Sequence, residues 1–145
     1  MAELDLVKNL YDYIADDPRI TINLALWDFG SGYEPAIFTV EPPNECGFPL
    51  ITIGQEQGNS EMLNRRAIIT SVPFSVRVWG NKTGSNKGLL AVSNLLYSRL
   101  NECVLTLADG YEFKRASVSP PSFTEDDLGF PGYEIVCTID YIELI

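Results

Sequence analysis

The sequence predicts an α+β domain: a mainly antiparallel β-sheet with two α-helices packed on one face. Three patterns lead there. An apolar stripe of helical period opens the chain, and a second one fills its middle. The other apolar residues alternate with polar ones in short runs separated by hairpin-length turns. At 145 residues the chain has the length of one domain, so residues 1–145 are read as a single unit. Hydrophobic residues make up 46% and charged ones 21%, which supplies a core without staples and argues against disorder.

The first helix rests on Leu4, Val7, Leu10, Tyr11 and Ile14, with Glu3, Asp5, Lys8 and Asp12 off the stripe. Asp16-Asp17-Pro18 ends it, because proline disfavours helix at the residue before it. Ile20, Ile22, Leu24 and Leu26 alternate with Thr21, Asn23 and Ala25, predicting a strand to about Phe29. Gly30-Ser31-Gly32 predicts a turn, and residues 36–40 the strand closing that hairpin. Residues 42–47 form a loop. Residues 48–54 form the next strand, with Pro49 at its start, where a missing donor is tolerated.

Residues 55–59 are polar and contain glycine, which predicts a loop tip. Residues 67–70 lead into a strand ending at Trp79, with Pro73 marking an edge or a bulge. Phe74, Val76 and Val78 share one face of that strand, Ser75 and Arg77 the other. Gly80, Gly84 and Gly88 then break the chain, Ser85 or Asn86 can cap, and Leu89, Val92, Leu96 and Leu100 recur at helical spacing. Residues 103–107 and 111–118 flank Asp109-Gly110, a hairpin signal. Residues 119–127 read as a loop. Residues 133–144 form a closing strand, with Tyr133, Ile135, Cys137, Ile139 and Tyr141 on one face.

Histidine is absent and the net charge is −10. The first fact removes Ser-His and Cys-His relays, histidine bases and histidine metal motifs. The second opposes high-affinity nucleic-acid binding, which needs cations against phosphate. No apolar run reaches the roughly 20 residues of a membrane helix, and the acidic opening is unlike a basic secretory leader, so a soluble protein made in a cytoplasm is expected. Cys46, Cys103 and Cys137 are odd in number and widely spaced, which fits neither a disulfide framework nor a thiolate zinc site. Cys137 alternates with Ile135 and Ile139 and reads as a small buried hydrophobe.

Three clusters invite a functional reading. Glu125-Asp126-Asp127 is the densest acidic run; it is a solvated loop or a weak cation site, without the ligand spacing of a calcium loop. Residues 80–88 follow a strand and precede a helix, but the G-x-x-x-x-G-K-[ST] spacing is missing, so the glycines serve the chain reversal. Lys82 and Lys87 would then be exposed cations. Arg65-Arg66 is either a solvated loop face or a partner for carboxylates on a neighbouring subunit.

The opening amphipathic helix, the strand FPLITIG at 48–54, and FSVRVWGNKTGSNKGLLAVSNLLYSRL at 74–100 stand in an order that resembles the tail terminators, or tail-completion proteins, of long-tailed, siphovirus-like bacteriophages. The resemblance runs through residue 100 on residue class, and fits the remainder loosely. Segments 36–47 and 119–131 exceed what the family usually carries. The resemblance implies a structural virion protein and not an enzyme: a hexameric ring that caps the tail tube, ends its polymerisation and joins it to the head or neck connector. The implied partners are copies of the chain, the major tail tube protein and a head-completion or neck protein. DNA would pass through without specific binding, and no cofactor or membrane is involved. No catalytic, cofactor or metal residues carry over.

A bore lined with cations would capture DNA, so part of the acidic excess is expected to face the lumen, with Glu125, Asp126 and Asp127 as candidates. Arg65, Arg66, Lys82 and Lys87 are the candidates for subunit contacts. Two other classes fit the same sequence. One is a different head–tail joining subunit; the other is a small carboxylate-dependent enzyme or ligand-binding domain, whose mark would be a deep pocket with converging carboxylates.

Overall fold

The computed structural model describes residues 4–82 and 87–145. In chain order its elements are α1 (Leu6–Ala15), α2 (Pro18–Thr21), β1 (Leu26–Asp28), β2 (Tyr33–Pro35), β3 (Ile37–Phe38), β4 (Leu50–Gln55) and β5 (Asn59–Asn64). They continue with β6 (Ala67–Trp79), α3 (Lys87–Asn101), β7 (Tyr111–Val118), β8 (Ser122–Glu125) and β9 (Pro131–Leu144). The fold is α+β, and among the described residues every strand pair is antiparallel except β3 on β4.

Two long strands form the spine of the main sheet. β6 and β9 pair without a shift from Ala67↔Leu144 to Trp79↔Gly132. Each is flanked on its outer side by two shorter strands. β4 covers Phe74 to Trp79 of β6 and β5 covers Ala67 to Ser71, while β7 and β8 divide the outer side of β9. Pro73 therefore marks neither a sheet edge nor a bulge in the β6–β9 pairing. Its carbonyl accepts from the Glu56 N–H at 2.9 Å on the outer side. Its missing N–H falls on that same side, at the changeover from β5 to β4, where no ladder bond is lost.

The predicted stripes meet on one face of this spine. Phe74, Val76, Val78, Ile135, Cys137 and Ile139 pack with Leu10 and Ile14 of α1 and with Leu89, Val92, Leu96 and Leu100 of α3. Asp5 caps α1 by accepting from the Lys8 N–H at 3.0 Å; the expected cap of α3 at Ser85 or Asn86 lies outside the described residues. The two long helices are clasped together. Arg99 donates to the Tyr13 carbonyl at 2.9 Å and stacks on the Tyr13 ring at 3.8 Å, while the Tyr13 hydroxyl donates back to the Arg99 carbonyl at 2.8 Å. On the opposite face a smaller cluster of Ala36, Phe38, Cys46 and Leu50 packs with Trp27, Phe48 and Trp79.

Five segments differ from expectation. The strand expected from Ile20 shrinks to β1, because Asp17 caps a helical turn with Pro18 at its start and accepts from the Arg19 N–H at 3.0 Å. Ile20 and Leu24, four apart, are buried, whereas Ile22 is 83% and Leu26 60% exposed. The hairpin partner of β1 is β2, not residues 36–40. Ala36, Ile37 and Phe38 are buried in succession, which a one-sided hairpin cannot do, and β3 instead pairs in parallel with β4.

Residues 103–107 are not a strand. Their alternation comes from Cys103 and Leu105 packing into the main core from an extended connection. The Asp109-Gly110 turn forms, with Gly110 at φ 93°, but it delivers the chain to β7, whose partner is β9. Finally, β8 is a strand inside the 119–127 segment expected to be a loop, and β5 starts at the last residue of the expected 55–59 loop tip and continues through residues 60–64, for which no element was expected.

Candidate interaction surfaces

The sheet face away from the helices carries a cleft of about 740 Å³. Its floor is the outward face of β4 and β6, with Thr52, Ser75, Arg77 and Trp79; its walls are the 39–44 connection and the 126–130 turn. Local chemistry builds that turn. The Asp126 carboxylate accepts from the N–H groups of Leu128 at 3.0 Å and Phe130 at 2.8 Å, and Gly129 takes φ 87°. Phe130 is thereby stacked on Phe48, ring centroids 5.2 Å apart, and Lys82 lies over the Phe130 ring at 5.0 Å.

The polar groups of the floor satisfy one another. The Trp79 indole donates to the Thr52 hydroxyl at 3.0 Å. Arg77 donates to Glu134 at 2.6 Å, and the Ser75 hydroxyl donates to the same carboxylate oxygen at 2.9 Å. The Arg77 hydrogen bond, against the opposing effect of burial and with help from Ser75, holds the Glu134 carboxyl below the usual carboxylate range. A carboxylate so held is a poor proton donor near neutral pH. Burial raises the thiol of Cys46, the cysteine that lines the cleft, and in the helix-side core it pushes Cys137 up to about 12 and Cys103 to about 11, so burial disfavours the thiolate at all three.

The second surface is the hairpin arm of β5 and the first half of β6. All six residues of β5 are exposed, Met62 at 66% and Leu63 at 51%. Arg65 and Arg66 form the two-residue turn at its tip, where the Arg66 N–H donates to the Asn64 side chain at 2.7 Å. Among the described residues, the ion pairs engage Lys8, Arg19, Arg77, Arg99, Lys114 and Arg115. Arg65, Arg66 and Lys82 join none of them, and the side chain of Lys87 lies outside the described residues.

The acidic run is not a unit. Glu125 and Asp127 are exposed, while Asp126 is half-buried and turned back onto its own loop. Among the described residues, no three Asp, Glu or Cys side chains gather as a metal site would require. The arm cations were visible in the sequence; the cleft was not. Its residues come from three separated stretches, 39–56, 75–79 and 126–130, and no local pattern joins Phe48 to Phe130.

No family model matches the sequence, and no curated protein matches it. The fold does match a solved structure. A chain of a structure described as the virion of a native gene transfer agent particle superposes with a TM-score of 0.74 at 12% identity, over 94% of this chain and 94% of that one. Identity that low speaks for the fold alone.

Proposed function

We propose that this chain is a structural, non-catalytic protein of a virion, a ring subunit that caps a tail tube, ends its polymerisation and forms the joint to the head or neck connector. The observation that carries the proposal is the fold match to a virion chain over 94% of both chains. The resemblance of residues 4–100 to tail terminators supplies the position within the particle. On this reading the partners are further copies of the chain, forming a hexameric ring, together with the tail tube protein below and a head-completion protein above.

The charge balance supports a conduit role. A net charge of −10 repels a passing polyanion, whereas a basic bore would hold it by releasing counterions. Exposed Glu125 and Asp127 are the acidic side chains proposed for the lumen, with Asp126 shaping the loop that bears them. Replacing Glu125 and Asp127 with lysine is expected to slow DNA ejection while rings still assemble. Unchanged infectivity of that variant contradicts the lumen assignment.

Electron microscopy of particles made without this chain tests the role itself. Tails of uncontrolled length are expected. Tailless heads beside finished, detached tails would make the chain a neck subunit instead, and normal infectious particles would overturn the structural role.

A further inference from the structure

Arm and cleft lie at opposite ends of the same strand. Ser75 on the cleft floor and Arg66 at the arm tip are nine residues apart along β6, about 30 Å in an extended strand. A chain therefore cannot place its own arm tip in its own cleft. The two surfaces are nevertheless complementary. The tip presents the exposed apolar pair Met62 and Leu63 beside two arginines that join no ion pair among the described residues. The cleft presents apolar Phe48, Leu128 and Phe130 beside Glu41 and Glu56, both exposed and likewise outside the described ion pairs. Its one lining arginine, Arg77, is already committed to Glu134.

We infer that the arm tip of one copy docks in the cleft of the next, with Met62 and Leu63 against the cleft's aromatic wall and Arg65 and Arg66 facing Glu41 and Glu56. The inference rests on the ring-subunit reading and specifies its contact. Donor and acceptor surfaces are different patches at opposite ends of β6, so the contact is head-to-tail, and it closes into the proposed ring when the rotation between neighbours divides a full turn. It places the scarce cations of an acidic protein at the junctions, where they offset repulsion between subunits. It also places the unpaired outer edge of β5 beside a neighbour, which covers an otherwise exposed strand edge.

Charge exchange tests it with the full chain. One variant carries Arg65→Glu and Arg66→Glu; the other carries Glu41→Arg and Glu56→Arg. All four positions are exposed, and thermal melts confirm that each variant folds. In sedimentation velocity up to about 1 mM, each variant alone is expected to associate about tenfold or more weakly than the unaltered chain. An equimolar mixture is expected to regain ring-sized species, because every junction then pairs opposite charges again. Variants that associate as the unaltered chain does would overturn the arm–cleft contact and leave the ring reading standing, as would a mixture that stays dissociated. An unaltered chain that never associates overturns the inference, while the particles assembled without the chain judge the ring reading separately.

Discussion

Strand β6 contains two different regions along one unbroken backbone. From Phe74 to Trp79 it runs between β4 and β9, and Phe74, Val76 and Val78 have no exposed surface. From Ala67 to Ser71 it runs between β5 and β9, and every residue of β5 is open to solvent. The hydrogen-bond ladder is shared; the burial is not. Folding free energy scales with apolar area removed from water, so stability concentrates in the first region. The second is held largely by main-chain pairing, and the side chains of β5 are left available for contacts outside the chain.

The largest effect should follow truncation inside the buried region. Phe74→Ala is expected to cost about 3–5 kcal/mol, and Leu96→Ala, in the same cluster, about 2–5 kcal/mol. Thermal or urea unfolding measures both. A loss below about 1 kcal/mol at either site would mean that the helix-covered face is not the seat of stability.

A middle-sized effect belongs to the clasp between the helices. Asp17, 4% exposed, caps α2 and accepts from Arg19 at 2.9 Å, with Arg99 at 4.0 Å. The Arg19 hydrogen bonds, against the opposing effect of burial, hold its carboxyl below the usual range. A depressed carboxyl contributes stability above its unfolded value, and that contribution is lost as pH falls through the folded one. Asparagine caps as well as aspartate, so Asp17→Asn is expected to cost about 1–2 kcal/mol at pH 7 through the lost charge on its hydrogen bonds with Arg19. The gap to the unaltered chain should close below about pH 4. Parallel stability curves across that acid range would remove Asp17 from the clasp.

The smallest effect sharpens the comparison from the other side. Met62→Ala combined with Leu63→Ala should change monomer stability by no more than about 0.5 kcal/mol, while weakening association between copies. A large drop in melting temperature would show the arm to be part of the folding unit after all.

The same division explains what the sequence disclosed. The stripes of α1 and α3, the alternation of Phe74, Val76 and Val78, and that of Ile135, Cys137 and Ile139 were legible because burial on one face imposes a period on residue choice. β5, reading Asn-Ser-Glu-Met-Leu-Asn, buries nothing and carries no period, so its pairing with β6 left no trace. β8 escaped for the same reason. The alternation at Ile20 to Leu26 misled because a local signal, Asp17 capping with Pro18 at the helix start, overrode it. That at Cys103 to Leu107 misled because an extended connection packing one side onto helices has the same period as a strand. At the candidate surfaces, Arg65 and Arg66 stood out by charge in an acidic chain. The cleft arises only from tertiary folding of segments 39–56, 75–79 and 126–130.

On the proposed function, this chain works as a ring at the joint of a particle's tail. Labelling the chain with an antibody fragment in assembled particles and imaging them by electron microscopy tests that claim most directly. Label is expected in a single ring of density where the tail meets the head. Label spread along the tube, or particles that carry none of the chain, would contradict it.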